Sequence, residues 1–430
     1  MSKRNKVVAI ASVAALAVAL SGCGTNITGD DEGGDALVYW GKWAEGTPQA
    51  VLFEEIIADY SEETGAEIDV QWLGNGQEDQ VKNAIATGDG PDFFDTAIDH
   101  TPGFRAAGAI GDIDAVLDTE IPGEGVAIRE VLPENVLTVI SDDDGPGFVP
   151  HSLFSIGLWY DAGTFPEFAD TPPATFDEFL TVVADRKAET GEAPIALDGT
   201  INAYNAYWLY QLLLSTAGPG ILIDLSSDPA AWDRPEVQEA VAELEQLVQM
   251  APFQKDYMAT KFPDAQNAWA AGDHDFNLNG TWLGSETAPV RGDGLDPRVT
   301  AFPPVDAGQA APATVGALGW AVNPASKNQD EVASFLAFAM QKKYIDRIAT
   351  DADNIPARID SPAPAALEAA QAAIIDADAV SLDFDGIAMV APEWWNDVFL
   401  PLDDKLIGGS ITGAEFLAEG RAQTEALLNR

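Results

Sequence analysis

The chain has 430 residues, of which 70 are acidic and 22 are basic, so its formal net charge is −48. Cations this sparse cannot form a continuous phosphate-binding stripe, which excludes nucleic acid as a partner. Apolar residues make up 47% of the sequence, and a chain of this length has room for two domains with separate cores.

The first 22 residues have the features of a secretory leader. Three basic residues among the first six precede an apolar stretch over 7–20, which is too short to span a bilayer but suits the hydrophobic part of a signal peptide. Cys23, the only cysteine, follows Ser21 and Gly22. This resembles a bacterial lipobox, with cleavage before Cys23 and a lipid on its sulfur. The alternative is an ordinary signal peptide with an incidental cysteine.

The region after the leader, 23–35, is polar and rich in glycine, so we expect a flexible tether. The mature protein would then be lipid-anchored at Cys23 on the extracellular face of a bacterial plasma membrane, or on the periplasmic side in a cell with two membranes. With no second cysteine, disulfides and cysteine-ligated metals are excluded, and no cofactor is predicted.

The next hundred residues alternate between strand and helix patterns. Apolar strands are predicted over 36–40, 68–72 and 93–98, and helices over 48–64 and 76–87. This order implies an α/β fold with parallel strands and right-handed crossovers. Loops that follow parallel strands gather at one edge of the sheet, where ligands usually bind. Here those loops contain Trp40, Trp43, Glu45, Asp99 and His100.

The run 147–164 is β-branched and aromatic, without helical periodicity, and we interpret it as the first crossing between two lobes. Pro150 lacks a backbone donor, so we expect two shorter extended segments that meet at 150–152.

The second half of the chain repeats such elements. Helices are predicted over 175–191, 202–217, 235–250, 264–271, 329–348 and 413–429, and strands over 193–197, 275–278, 299–302 and 315–322. Extended segments at 315–322 and 351–358 would be the second and third crossings. Several crossings form a hinge, and closure around a ligand is the natural motion of such a pair of lobes.

Several short motifs, in this order, resemble those of the extracellular solute-binding proteins of ATP-driven (ABC) importers, in the carbohydrate-binding branch that includes maltose-binding protein. They are Gly88-Asp89-Gly90-Pro91-Asp92, Val149-Pro150-His151-Ser152, Gly157-Leu158-Trp159-Tyr160-Asp161, Pro173-Ala174-Thr175-Phe176-Asp177-Glu178, Asn279-Gly280-Thr281-Trp282, Gly319-Trp320-Ala321-Val322 and Ile355-Pro356-Ala357. The resemblance implies a two-lobe, periplasmic-binding-protein-like (type II) fold with a hinge and an interlobe ligand cleft. It also implies a monomer that delivers sugar to the permease subunits of an importer and is not an enzyme.

On this basis the lobes are predicted as 36–149 with 318–354, and 150–317 with 355–430. A pyranose has flat C–H faces and a rim of hydroxyls, so aromatic rings and polar side chains should line the cleft. Trp282 matches the ring-stacking position of the family, and Asn202 and Tyr204 match cleft positions of the second lobe. The remaining candidates are Trp40, Trp43, Glu45, Asp99, His100, Trp320, Arg358, Trp394 and Trp395.

Several of these assignments have alternatives. Any one of the tryptophans could belong to the core, Glu45 could be a surface acid, and Arg358 could form a salt bridge at a crossing. The sequence does not decide between Asp99 and His100, or between Trp394 and Trp395.

Two other functions compete with sugar capture. The same fold could bind a cationic ligand such as a polyamine, held by acids and aromatic rings. A secreted polysaccharide-processing enzyme is the third possibility, but with 70 acidic residues a carboxylate pair can be chosen anywhere and carries no weight. The three histidines are too widely separated in sequence to indicate a metal site.

Overall fold

The computed structural model describes residues 36–74, 76–142, 144–309, 313–377 and 380–430. The leader, the tether and Cys23 lie outside these ranges, so lipid anchoring stays a prediction. None of the described helices is both long and apolar enough to cross a membrane. Residues 36–430 form one compact unit.

Twelve strands occur in the described ranges. They are β1 (Leu37–Gly41), β2 (Ile68–Trp72), β3 (Phe93–Ala97), β4 (Ser141–Asp142), β5 (Gly145–Pro146), β6 (Val149–Phe154), β7 (Ile156–Asp161), β8 (Phe276–Gly280), β9 (Pro297–Thr300), β10 (Thr314–Val322), β11 (Ile355–Pro356) and β12 (Ser381–Leu382).

Most of these strands form two main sheets, and β4 pairs only with β5. The first has the order β11-β6-β10-β3-β1-β2, and β12 pairs with the start of β10. Within it β1 is parallel to both β2 and β3, as the alternating pattern predicted, whereas β10 runs antiparallel to β3 and β6. The second sheet is antiparallel and has the order β8-β7-β9.

Helices cover both sheets. They are α1 (Pro48–Thr64), α2 (Gln77–Thr87), α3 (Thr101–Ala106), α4 (Asp114–Leu117), α5 (Glu134–Val139), α6 (Phe176–Thr190), α7 (Asn202–Ala217), α8 (Ile221–Ser227), α9 (Pro235–Gln249), α10 (Asp264–Ala271), α11 (Leu283–Thr287), α12 (Gln329–Ala339), α13 (Lys342–Thr350), α14 (Glu368–Ile375), α15 (Ile387–Val390), α16 (Pro392–Trp394), α17 (Leu400–Ile407) and α18 (Gly413–Leu428).

Local signals set several helix ends as predicted. The Thr175 hydroxyl accepts the backbone N–H of Glu178 at 3.2 Å and so caps α6. Gly65 ends α1 with φ +78°, a left-handed conformation in which glycine avoids the strain that a side chain would meet.

Three predicted elements differ from the structure. The segment 193–197 makes only isolated bridges from Ile195. The predicted helix 329–348 is two helices, α12 and α13, separated near Gln341. Pro150 lies inside β6, opposite a register shift between Leu318 and Gly319, so the strand tolerates its missing donor and the break falls at Ser155.

The three crossings lie side by side. Ser155, which joins β6 to β7, has its hydroxyl 3.3 Å from that of Thr314 at the start of β10. Thr314 is in turn the register partner of Ser381 in β12. The hinge is therefore formed by residues 154–156, 314 and 381–383.

This geometry differs from the predicted boundaries. The strand β11 pairs with β6 in the first sheet, so 351–358 is not a crossing. Buried side chains between Ile355 and Val380 share a hydrophobic cluster with the first sheet, although Val299 of β9 belongs to the same cluster. Since β12 still pairs with β10, the chain leaves the first sheet only after β12. The core of the second lobe contains α6–α9, α17 and part of α18.

Candidate functional site

Aromatic side chains line the crevice where the second lobe meets the hinge. The Phe154 and Trp282 rings lie 5.7 Å apart, edge to face, and Tyr204 stacks on Tyr207 with centroids 5.8 Å apart. Tyr207 is parallel to Phe384 at 5.0 Å. We call these five side chains the aromatic wall. Phe154, Tyr204 and Trp282 are half-buried. Each therefore keeps part of its ring exposed, and a flat ligand could stack on that part.

Two glycines make room for rings of the wall. A Cβ added to Gly280 would overlap the indole of Trp282, and a Cβ added to Gly316 would overlap the ring of Phe154. Gly280 ends β8 and Gly316 lies near the start of β10, so both rings lie flat against backbone at the hinge.

Polar groups surround the Trp282 end of the wall. Burial raises the pKa of Tyr204, and hydrogen bonding from Trp282 and Asn279 acts in the opposite direction. Burial also raises the pKa of Glu286, whose carboxylate accepts the Gln266 amide at 3.1 Å. These side chains can bond hydroxyls at the rim of a stacked ring. Neither Glu286 nor Gln266 is predicted from the sequence, because α10 and α11 are brought together by the fold and not by any local pattern.

The hinge itself contains a pocket of about 190 Å³, which we call the hinge pocket. Its apolar walls come from both lobes and its two acids are Asp99 and Asp383. The apolar lining consists mainly of Ile98, Phe154, Val315, Leu382, Phe384 and Met389.

Asp383 is one of the two acids that line the hinge pocket. Its Oδ1 is enclosed and has no hydrogen-bond partner among the described residues. Burial raises its pKa to about 7, and the charges of Asp99 and Asp385 add to this effect, whereas hydrogen bonds from Phe384 N–H and Tyr207 act against it.

A strained turn presents Asp383 and Phe384 to the pocket. Phe384, Asp385 and Gly386 are all left-handed, with φ of 50°, 53° and 68°. Left-handed non-glycine residues are costly and persist only where the surroundings hold them. Asp385 provides that hold, because its carboxylate accepts the Gly220 and Leu222 N–H groups at 2.9 Å and the Ser381 hydroxyl at 2.7 Å.

The first lobe presents its predicted residues at the carboxyl ends of β1 and β3. Trp40 and Trp43 are half-buried, and neither indole N–H has a partner within the described ranges. Glu45 is exposed. Asp99 lines the hinge pocket, whereas His100 points to Glu78, with Nε2 3.3 Å from its Oε1.

Asn202, predicted in the cleft, is exposed at the start of α7. Its amide donates to Asp404 at 2.6 Å, and the neighbouring Asn205 donates to the same carboxylate at 2.7 Å. Asn202 thus ties α7 to α17.

Four other predicted ligand contacts are corrected. Trp320 is 1% exposed and packs on Phe53 and His151, because it lies in the middle of the first sheet. Trp394 is also 1% exposed and donates to the Thr424 hydroxyl at 2.8 Å.

The guanidinium of Arg358 is enclosed in the first lobe, where it forms salt bridges of 2.8 Å with Glu124 and Asp360. Trp395 is buried behind the wall, with its ring 4.8 Å from Phe384. It therefore supports the wall and does not form its surface.

Neither a metal site nor a larger depression competes with the crevice. No cluster of three or more His, Cys, Asp or Glu suited to a metal occurs in the described part of the chain. Four open depressions, of about 610, 560, 560 and 370 Å³, are larger than the hinge pocket. Among their lining residues only Phe302 is aromatic, and its ring is fully buried, so none of the four offers a stacking face.

Residues 43–345 match the family described as bacterial extracellular solute-binding protein. Diacetylchitobiose binding protein DasA of Streptomyces coelicolor is 24% identical over 360 residues, which is 79% of each chain. A cyclo/maltodextrin-binding protein complexed with maltotetraose has a TM-score of 0.71 at 16% identity, with 92% of this chain and 98% of that one covered. The solute-binding protein RafE in complex with raffinose has a TM-score of 0.64 at 17% identity, with 90% and 98% covered.

Proposed function

Since this chain belongs to the bacterial extracellular solute-binding proteins, a family of binding proteins and not of enzymes, we propose that it captures a sugar or oligosaccharide between its lobes. Its fold is the predicted two-lobe, periplasmic-binding-protein-like (type II) arrangement. The relatives named above bind different sugars, so they support a class of ligand and leave its identity open.

The observation that carries this proposal is the aromatic wall. Its half-buried rings offer stacking faces for the C–H side of a pyranose, and the polar groups beside Trp282 offer partners for its hydroxyls. Trp40 and Trp43 would approach from the first lobe when the hinge closes. A ligand shifts the balance between open and closed forms only by its preference for the closed one, so contacts from both lobes are required.

Calorimetric titration of the purified protein with a panel of neutral saccharides tests this function. We expect at least one to bind, and Trp282→Ala to weaken that binding at least tenfold, about 1.4 kcal/mol. The melting temperature of the ligand-free form should stay nearly unchanged, because the indole is half-buried.

Trp282→Phe is the matched control, since it keeps an aromatic face and should keep most of the affinity. A large loss of melting temperature in Trp282→Ala would instead place the ring in the core. A polyamine belongs in the same panel, because Asp99 and Asp383 line one pocket; binding of the polyamine alone would replace the sugar proposal.

Lipid anchoring and delivery to an importer are also part of the proposal. The basic start, apolar stretch and Cys23 support export with a lipid on that sulfur. The closed receptor would then meet the permease subunits at the membrane. Metabolic labelling with a radioactive fatty acid should mark the wild-type protein and not Cys23→Ser; equal labelling of both would exclude anchoring at this residue.

A further inference from the structure

The row of rings that forms the aromatic wall continues beyond Tyr204. From the hinge outwards the rings of Phe384, Tyr207 and Tyr204 follow one another, with centroids 5.0 and 5.8 Å apart. The next ring is that of Phe262, whose centroid lies 6.4 Å from that of Tyr204. The first two rings are buried, Tyr204 is half-buried and Phe262 is 44% exposed. A continuous row of rings therefore leads from the hinge to the surface.

Phe262 is also unusual among the exposed side chains. It is the one aromatic residue among the large apolar side chains that are exposed in the described ranges, and the others, such as Val51, Val290 and Val390, are aliphatic. Single exposed apolar side chains are common on protein surfaces and need no partner. An exposed phenyl ring beside a row of stacking rings differs from them, because it adds a flat apolar face at the rim of the crevice.

The loop that carries Phe262 is fixed on both sides. Before the ring, the carbonyl of Thr260 accepts the backbone N–H of Thr200 at 3.2 Å and its hydroxyl at 3.0 Å. After the ring, the carboxylate of Asp198 accepts two backbone N–H groups at the start of α10, at 2.8 and 3.1 Å. A ligand that stacks on Phe262 therefore meets a loop that is already in place, which lowers the entropic cost of binding.

The angle between the last two rings indicates the kind of ligand. The planes of Tyr204 and Phe262 are inclined at 70°, so a single pyranose can lie flat on one ring or the other but not on both. Two sugar units joined by a glycosidic bond can turn relative to one another. Each unit can then cover one of the two rings.

We propose that Phe262 forms an outer subsite, where it stacks against a second or later unit of an oligosaccharide whose first unit lies on the aromatic wall. This inference rests on the proposed sugar-binding function. It adds that the ligand has at least two linked units, and it names the residue that senses the length of the chain.

A series of chain lengths tests the outer subsite. Chains of one to four units of α-1,4-glucose, β-1,4-glucose and β-1,4-N-acetylglucosamine are titrated calorimetrically into the full chain and into Phe262→Ala. For the sugar that binds, the wild-type affinity should rise at least tenfold from the shortest bound chain to the longest. Phe262→Ala should weaken binding of the longest chain about three- to tenfold, as expected for the loss of one stacking contact, and that of the shortest less than twofold.

Two matched variants complete the experiment. Phe262→Tyr keeps a ring face and should keep the dependence on chain length. Ile359→Ala removes an apolar side chain of similar exposure, 47%, from the first lobe and should change the affinity for no chain. The melting temperature of ligand-free Phe262→Ala should stay close to that of the wild type, because the ring is exposed.

The results separate failure of this inference from failure of the proposed function. If a single unit binds the wild type as tightly as the longer chains do, the outer subsite falls and sugar capture stands. An equal loss in Phe262→Ala at every chain length would mean that the ring only supports Tyr204, and no loss at any length would mean that it touches no ligand; both would overturn the inference. If no saccharide binds the wild type, both proposals fall.

Discussion

Trp394 and Trp282 both lie next to residues that are common in turns, yet the structure buries one in the core and leaves the other partly exposed. Trp394 is enclosed in the second core, where its N–H is satisfied by Thr424. Trp282 lies half-buried against Gly280, with part of its ring open to the crevice. The difference teaches that a tryptophan near turn residues is not thereby a binding residue. What counts is whether the fold leaves one of its faces free.

Two acids, Asp403 and Asp383, differ in the same way, since one is enclosed in the core and the other lines a pocket. Asp403 in α17 is fully buried, and neither of its carboxylate oxygens has a partner among the described residues. Asp383 is only half-buried, and it lines the hinge pocket together with Asp99. The first acid belongs to the core and the second to a place that a ligand can reach.

The largest expected effect concerns the tryptophan of the core. Trp394→Ala should lower the free energy of unfolding by about 3–5 kcal/mol, because it removes a large packed side chain and leaves a cavity. Denaturant titration of the ligand-free protein measures this. If the variant kept its stability and lost sugar affinity, Trp394 would be a crevice residue and the comparison would fail.

A smaller effect is expected at the buried acid of the core. Burial, with the nearby charge of Asp404, raises the pKa of Asp403 well above its ordinary value. The folded state therefore holds this proton more tightly than the unfolded state, and stability falls as the pH rises from the unfolded pKa towards the folded one. Asp403→Asn should remove that loss, for a gain of about 1–3 kcal/mol at pH 8 and almost none at pH 4.

Thermal unfolding of both proteins at the two pH values measures this gain. Asp397→Asn is the control, because Asp397 is exposed in the neighbouring turn, and its effect should not depend on pH. A gain of equal size at pH 4 would show that packing, and not ionisation, explains the result.

The smallest effect is expected at Gly280, which sets the position of the Trp282 indole in the crevice. In Gly280→Ala the new methyl group would overlap the indole of Trp282, which must then rotate away from the backbone. Sugar affinity should fall about three- to tenfold, or roughly 0.7–1.4 kcal/mol. Ala271→Ser, at an exposed position, is a control for a change of similar size. Unchanged affinity in Gly280→Ala would mean that the position of the indole does not matter.

Much of the fold follows from local patterns. The cap of α6 and the glycine end of α1 depend on residues that are close in sequence. The parallel pairing of β1 with β2 and β3 joins more distant residues, but it follows from the alternation of strand and helix patterns. The third crossing was misplaced because β11 and β12 are only two residues long, and their partners lie far away in the sequence.

The sequence by itself determined the leader pattern, the alternating strands and helices, and the supply of aromatic and acidic residues in loops. Only the tertiary structure decided which of them face the crevice. Asp383 and Glu286 entered the candidate site, and Trp320 and Arg358 left it, through contacts between segments separated by many residues. The physical reason is that burial of a side chain depends on what packs against it, and a local pattern records only its nearest neighbours.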